Sequence, residues 1–250
     1  MTNGSRNPYA PPTVPLEKPP PPGADGSIDD AIAGRYDFTI GEVMNEAWDL
    51  VKGFKGAFWS AALVIYAVLF AAVFSINLII VFLHGERPPA IVNQLVSGCV
   101  GVLLSPLTVG LRVISVRRAS GLPNSFLMAF VGLAKTPVLV GAALLATLLT
   151  YAGLALLVIP GLYLAVAYGM TLTLLVFRNM SVWTAMETSR RAITHKWFRV
   201  FGLYLLVGLL TGMSALPLGI PLIWTIPWAM LVNGVLYRRI FGAPVAAPSV

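Results

Sequence analysis

Four long stretches without Asp, Glu, Lys or Arg dominate this sequence and constrain its fold more than any other feature. They cover residues 56–85, 88–111, 136–177 and 200–237. One helical crossing of a membrane takes about 20 apolar residues. The first two stretches each fit one crossing. The last two contain 42 and 38 residues, so each must cross twice. We therefore predict an all-α integral membrane protein with six transmembrane helices.

A strong helix breaker lies near the middle of each of the two longest stretches. Ile159-Pro160-Gly161 interrupts the third stretch, and Pro217-Leu218-Gly219-Ile220-Pro221 interrupts the fourth. Proline and glycine in such clusters end helices and form turns. We expect the chain to reverse at these two positions, and we expect Pro106 to kink the second crossing.

The distribution of basic residues predicts how the crossings are oriented. With six crossings, sixteen of the seventeen Lys and Arg residues fall on one side of the membrane, and Arg87 alone falls on the other. Loops on the cytoplasmic side carry the excess of Lys and Arg in membrane proteins. Both termini are therefore predicted to be cytoplasmic.

Composition divides the chain into three parts. Residues 1–37 are rich in proline and predict a disordered cytoplasmic tail, residues 38–241 form the membrane domain, and residues 242–250 form a short second tail. The first 49 residues carry a net charge of −5 and the remainder carries +12. We predict that residues 25–49 rest against basic loops near Arg117, Arg118, Arg190 and Arg191. The alternative is that Asp25–Asp37 belongs to a free tail.

An amphipathic helix precedes two of the crossings. Thr39 and Glu42 have the spacing of a capping box, and Ser181 has the same relation to a second amphipathic segment. A gapless offset of 142 residues superimposes the two segments. A shorter and more apolar version, 124–134, precedes the third crossing. We predict three parallel repeats, each an interfacial helix followed by two crossings, at about 38–118, 122–178 and 180–241.

One region resembles a known family. The resemblance is carried by Pro160-Gly161-Leu162-Tyr163-Leu164, Ser181-Val182-Trp183, Ala185, Ser189-Arg190 and Trp197-Phe198. This pattern resembles the bacterial membrane-domain family named after the membrane part of glycerophosphodiester phosphodiesterases, and related uncharacterised six-helix inner-membrane proteins. The resemblance covers about residues 38–240. It implies a multi-pass protein of the bacterial inner membrane. It implies no catalytic residue, because the phosphodiesterase domain is absent from this chain.

The residues that carry acid–base or metal chemistry do not form clusters. No Asp follows Asp49, and six crossings place Glu86 and Glu187 on opposite sides of the membrane. His84 and His195 are separated in the same way, so they cannot share a metal. We therefore expect no enzyme activity, no cofactor and no metal. Nucleic-acid binding is also not expected, because the basic residues flank crossings instead of forming a free basic domain.

The crossings themselves are expected to contain no ionisable residue, and their larger polar side chains are the amides Asn77, Asn93, Gln94 and Asn233. Such amides mostly form hydrogen bonds between helices. The Gly208–Gly212 pair is a GxxxG motif, which we expect to serve close internal packing, with a dimer contact as the alternative.

The basic residues near the cytoplasmic ends of the crossings are the most informative polar set. They are Arg117, Arg118, Arg190, Arg191, Lys196, Arg199, Arg238 and Arg239. They serve either topology alone or contact with anionic phospholipid. Our leading hypothesis is a non-enzymatic membrane protein that engages phospholipid or a membrane partner through basic cytoplasmic interfacial helices. The alternatives are a transporter of a small or amphiphilic molecule and an accessory or scaffold subunit of a membrane complex.

Overall fold

The computed structural model describes residues 26–85 and 88–244, and all regular structure in these residues is helical. The elements are α1 (Ile28–Ile32), α2 (Ile40–Leu50), α3 (Lys55–His84), α4 (Ala90–Leu103), α5 (Ser105–Ala119), a 3-10 helix (Phe126–Lys135), α6 (Thr136–Leu156), α7 (Val158–Ala167), α8 (Thr171–Arg178), α9 (Val182–Thr194), α10 (Trp197–Met213) and α11 (Leu222–Phe241). The all-α class predicted from the sequence is confirmed.

Three helical stretches are long and apolar enough to cross a membrane: Lys55–Leu83, Phe126–Leu156 and Val158–Arg178. Two further pairs meet the same criterion only when a bent pair is taken as one span. These pairs are α4 with α5, bent by 60°, and α9 with α10, bent by 92°. The described residues thus contain three to five candidate spans, where the sequence predicts six crossings.

Both predicted breaks are present, but the first lies at Leu157, and the predicted breaker Ile159-Pro160-Gly161 belongs to the first turn of α7. The helix α6 ends at Leu156, and Leu157 is extended before α7 begins, which separates two antiparallel helices. A Cβ on Gly161 would lie 2.3 Å from the Leu154 side chain, so the tight packing of this hairpin requires glycine. The turn between α10 and α11 contains two residues with positive φ, Leu218 and Gly219.

The buried centre of the fold is formed by α5 and the second half of α11. In α5 eleven of fifteen residues are buried. A Cβ on Gly110 would lie 1.5 Å from the Ala129 carbonyl oxygen, and one on Gly234 would lie 2.5 Å from the Ser115 carbonyl oxygen. These two glycines let α5 pack backbone to backbone against the 3-10 helix and against α11.

The offset of 142 residues also relates helix boundaries and burial. It superimposes the N-caps Thr39 and Ser181, the first residues of α2 and α9, and the first residues of α3 and α10. Both N-cap hydroxyls accept a hydrogen bond from the backbone N–H three residues later. Buried positions coincide as well: Val43 with Ala185, Ala47 with Ser189, Val51 with Ile193, Phe58 with Val200, Ala61 with Leu203 and Ile65 with Val207.

The predicted middle repeat differs from the other two predicted repeats. Instead of a separate amphipathic helix over 124–134, the chain forms the 3-10 helix, which continues into α6 as one apolar stretch of 31 residues. Three of its residues, Ala129, Val131 and Gly132, are buried. The close approach of Gly110 and of Pro106 to this segment explains why it packs into the fold.

The described part of the predicted tail is folded, so the boundary predicted at residue 38 is too late. Ala31, Tyr36 and Phe38 are buried, and the Tyr36 hydroxyl donates a 2.7 Å hydrogen bond to the Ala192 carbonyl of α9. Burial of these apolar side chains needs partners from distant parts of the chain, which local composition does not reveal. Residues 1–25 and 245–250 of the two predicted tails lie outside the described residues.

Candidate functional site

The acidic N-terminal residues pair with basic residues, but mostly not with those predicted. The Asp37 carboxylate lies 2.6 Å from both Lys196 Nζ and Arg199 Nη1. Glu42 lies 2.7 Å from Arg239, and Glu46 binds both Arg238 and Arg239. The described part of this acidic run is therefore docked on the rest of the chain. Arg117, Arg118, Arg190 and Arg191 form no ion pair with its carboxylates. The chain still lies beside two of them, because Arg118 donates to the Leu50 and Lys52 carbonyls and Tyr36 donates to the carbonyl of Ala192, the residue after Arg191.

These contacts lower the pKa values of two of the carboxyl groups. The hydrogen bond and charge of Lys196, with the Phe38 backbone N–H and Arg199, hold the pKa of Asp37 below its ordinary value. The hydrogen bond from Arg239 is the largest effect on Glu42, whose pKa is also lowered. Both carboxyl groups are solvent-exposed, so these contacts fix the position of the segment more than they stabilise the fold.

Arg190 and Arg191 both bind Glu187 on their own helix. Arg190 donates two 2.8 Å hydrogen bonds to this carboxylate, and Arg191 donates one of 2.6 Å through its Nε. These are the three- and four-residue spacings at which side chains of a helix meet. The polar face of α9 is therefore a small internal ion cluster.

Several other cations donate to backbone carbonyls at or after helix ends. Arg117 binds the Pro123 carbonyl at 2.7 Å, Arg118 binds the Lys52 carbonyl at 2.6 Å, and Arg238 binds the Ala119 carbonyl. Lys135 and Arg178 act in the same way on the ends of α8 and α11. Carbonyls at helix C-termini lack intrahelical partners and favour positive charge. This use of the cations in folding is not visible in the sequence.

Among the basic residues predicted to contact lipid, few side chains stay exposed once these ion pairs and hydrogen bonds are formed. The side chains of Arg191 and Arg199 are 57% and 54% exposed, whereas those of Lys196, Arg238 and Arg239 are 20% exposed or less. Arg199 follows Phe198, which is 83% exposed, and Trp183 is exposed on α9. We call Trp183, Arg191, Phe198 and Arg199 the corner surface: Trp183 and Arg191 lie on α9, and Phe198 and Arg199 lie at the start of α10, after the right-angled turn.

The predicted intramembrane amides do not join helices through their amide nitrogens. Asn77 and Asn233 each donate to the carbonyl four residues earlier in their own helix, at 2.9 and 3.1 Å. Asn93 and Gln94 are exposed on α4. Asn77 and Asn93 line one open cavity between α3 and α4.

The GxxxG motif also lacks its expected internal partner. A Cβ on Gly208 or Gly212 would meet nothing within 4 Å in the described chain, and both residues are exposed. The expectation of close internal packing at this motif is wrong. The dimer contact stays a prediction.

One charged group that sequence reasoning placed outside the crossings lies against a candidate span. Arg112 on α5 donates a 2.7 Å hydrogen bond from Nη1 to the Gly169 carbonyl. Gly169 is the twelfth of the 21 residues in the span Val158–Arg178. The sequence had placed Arg112 outside the crossings because it directly follows the uncharged stretch 88–111.

The span itself is interrupted at this point. Residues 168–170 form a turn between α7 and α8. Ser189 bridges the interruption, because its hydroxyl donates to the Ala167 carbonyl at 2.6 Å and accepts from the Met170 N–H at 3.3 Å. Side chains from α5 and α9 thus satisfy backbone groups that a broken helix leaves open.

A cavity of about 420 Å³ lies beside this interruption. Arg112 lines it together with hydroxyl groups of α6 to α8, from Thr147, Thr150, Tyr168 and Thr171. Its apolar wall includes Ala146, Leu154 and Ala165. The Thr171 hydroxyl is buried and has no hydrogen-bond partner within the described part of the chain.

The chain matches no protein-family model, and comparisons with curated proteins and with solved structures give no match either. The family resemblance of residues 160–199 therefore stays a prediction. In residues 26–85 and 88–244, no group of three or more His, Cys, Asp or Glu side chains could hold a metal ion.

The geometry therefore offers two places for a ligand. The corner surface combines exposed guanidinium groups with exposed aromatic rings, as residues at a membrane interface do. The cavity beside Gly169 combines one guanidinium group with hydroxyls and an apolar wall. Each is suited to an anionic group that carries an apolar part.

Proposed function

We propose that this protein is a non-enzymatic inner-membrane protein that engages anionic phospholipid at its cytoplasmic side. The observation that carries the proposal is the corner surface, where Arg191 and Arg199 stay exposed beside Phe198 after all internal contacts are counted. Arg191 uses only Nε for Glu187, and Arg199 uses only Nη1 for its contacts with Asp37 and Phe38. Each keeps further N–H donors for a phosphate.

The proposed topology has six crossings with both termini in the cytoplasm. The excess of basic residues on one side supports this orientation. The right angle between α9 and α10 supports an interfacial α9 followed by a crossing α10. The common boundaries and burial of α2–α3 and α9–α10 support the proposed parallel repeats, in which the middle unit has lost its separate interfacial helix.

The proposal is tested by the lipid composition around the full-length protein in nanodiscs. The discs contain a mixture of phosphatidylglycerol and phosphatidylcholine, and the lipid retained by the purified protein is measured by mass spectrometry. A basic residue near an anionic surface contributes about 1 kcal/mol. The double variant Arg191→Gln/Arg199→Gln should therefore reduce enrichment of phosphatidylglycerol by roughly tenfold at low salt.

Arg35→Gln is the local charge control, because Arg35 is also exposed and ion-paired and lies two residues from Asp37, but it is not part of the corner surface. Enrichment in this variant should equal that of the unmodified protein. Salt should abolish the difference between the proteins, because exposed charges are screened beyond about 8 Å at physiological ionic strength. Equal enrichment in the double variant and the control at low salt contradicts the proposal.

A transporter of an amphiphilic molecule is the second candidate, and the interruption at residues 168–170 beside a cavity favours it. Discontinuous helices in transporters place backbone groups at substrate sites near the middle of the membrane. Transport predicts net movement of labelled lipid between the leaflets of proteoliposomes. Binding alone predicts retention of lipid without such movement.

A further inference from the structure

The cavity beside Gly169 contains a positive charge with no acidic partner. Arg112 forms no ion pair with any described residue, and its only hydrogen bond there goes to the Gly169 carbonyl. The other cations bound to carbonyls act at or after helix ends. Arg112 instead lines a cavity against the middle of the Val158–Arg178 span.

A positive charge at this position costs folding free energy, so its presence indicates a function. Ionisable groups within membrane spans are rare, face the protein interior or a cavity, and mark functional sites. Irregular backbone within a span is tolerated only where it is buried or lines a cavity. Both features meet here, because the guanidinium group of Arg112 is held at the interruption between α7 and α8.

Hydroxyl side chains on the walls of the cavity supply donors for an anionic group beside Arg112. Thr147 and Thr150 of α6 and Tyr168 beside Gly169 line the cavity together with Arg112. A hydroxyl can donate to a phosphate oxygen, and hydrogen bonds to charged groups are stronger than those between neutral groups. The Thr171 hydroxyl is not one of these donors, because it is enclosed by the protein.

The walls of the cavity indicate an amphiphile. The α6 wall combines the apolar side chains of Ala143, Ala146 and Leu154 with hydroxyl residues, and α6 belongs to a candidate span that is mostly exposed in the described chain. The volume of about 420 Å³ lies within the range of small-molecule sites, about 300–1,000 Å³. This volume suits a headgroup region and the adjoining part of one chain.

We infer that this cavity binds the phosphodiester group of one anionic phospholipid, with Arg112 as its charge partner and an acyl chain along α6. This inference rests on the proposed function only in taking the ligand to be phospholipid. It adds a single internal site, whereas the corner surface contacts many lipids. Binding at the internal site is expected to resist salt, because buried charges are screened much less than exposed ones.

The test uses the full chain in detergent, titrated with phosphatidylglycerol or phosphatidylcholine and observed by native mass spectrometry at high salt. Arg112→Gln removes the charge and keeps a donor for the Gly169 carbonyl. Ala146→Leu narrows the cavity without changing any charge. Arg178→Gln is the matched control, because Arg178, the last residue of α8, also binds backbone carbonyls, at and after the end of α11, and does not line the cavity.

The unmodified protein and Arg178→Gln should each retain one phosphatidylglycerol. Arg112→Gln should bind it at least tenfold more weakly, as expected for loss of a hydrogen bond to a charged group. Ala146→Leu should also lose it. If Arg112→Gln does not fold, Ala146→Leu alone decides the result. Retention of the lipid by a folded Arg112→Gln protein or by Ala146→Leu overturns the inference.

Two further experiments complete the test. One distinguishes a lipid headgroup from free phosphate as the bound anion, and the other distinguishes the internal site from the corner surface. If millimolar inorganic phosphate displaces the bound lipid as completely as free phosphatidylglycerol does, the site belongs to a soluble anion and the inference is overturned. Arg191→Gln/Arg199→Gln should keep the single salt-resistant lipid. Loss of that lipid in this double variant, with retention in Arg112→Gln, would leave the proposed function standing and refute the internal site.

Discussion

The contact of Glu46 with Arg238 and Arg239 joins the amphipathic helix α2 to the central helix α11. The side chain of Glu46 is 26% exposed, and those of its two partners are 14% and 18% exposed. Replacing Glu46 by Gln keeps the size of the side chain and removes its charge. Arg238 then loses its carboxylate but keeps its hydrogen bond to the Ala119 carbonyl, and Arg239 keeps only the carboxylate of Glu42.

The expected cost follows from the degree of burial. Breaking a fully buried ion pair costs about 3–5 kcal/mol, and breaking an exposed pair costs about 0–1 kcal/mol. This partly buried cluster lies between these limits, so we expect Glu46→Gln to lower the free energy of unfolding by about 2–3 kcal/mol. One kcal/mol shifts the Tm of a chain of this size by about 2–4 °C, so the Tm should fall by roughly 5–10 °C.

The assay is thermal unfolding of the full chain in one detergent, followed by intrinsic fluorescence at a fixed scan rate. Asp49→Asn is the matched control, because Asp49 lies on the same helix, is exposed and has no ion pair in the described part of the chain. Its Tm should change by less than about 1 °C. An unchanged Tm in Glu46→Gln, or equal losses in both variants, would refute the proposed anchoring of α2 on α11.

Two further predictions concern backbone packing and pH. Gly110→Ala should destabilise the protein by about 3 kcal/mol or more, because the new Cβ would lie 1.5 Å from a backbone carbonyl. Gly141→Ala, whose Cβ meets nothing within 4 Å, should be neutral or stabilising in the same thermal assay. Because its neighbours lower the pKa of Asp37, the docking of residues 28–38 should be complete above about pH 4 and weaken as the pH falls through the lowered value. Hydrogen exchange in this segment should then rise after correction for intrinsic rates, and Asp37→Asn should raise it already at neutral pH.

Local signals in the sequence predicted the helix boundaries well. The capping residues Thr39 and Ser181 and the breaks near Pro160 and Pro217 depend on neighbours within a few residues, so they can be read from the chain directly. The offset of 142 residues was also visible, because the same local pattern occurs twice.

The functional groups were harder to predict because their partners are distant in sequence. Arg112 resembles Arg117 and Arg118 in the chain, and only the packing of α5 against α8 brings it to the Gly169 carbonyl. The interruption at residues 168–170 contains no proline, and it is held by Ser189 from another helix. The burial of Tyr36 likewise depends on α9, 156 residues further along.

The most direct test of the account is the side of the membrane on which two loops lie. In the proposed six-crossing topology, Ser125, before the 3-10 helix, lies in the cytoplasm, and Ala215, in the turn after α10, lies outside. In a Cys99→Ser background, Ser125→Cys and Ala215→Cys are each treated with a membrane-impermeant thiol reagent on intact cells. We expect Ala215→Cys to react before permeabilisation and Ser125→Cys to react only after it. Labelling of both from the same side would contradict the six-crossing topology and, with it, the cytoplasmic position of the corner surface.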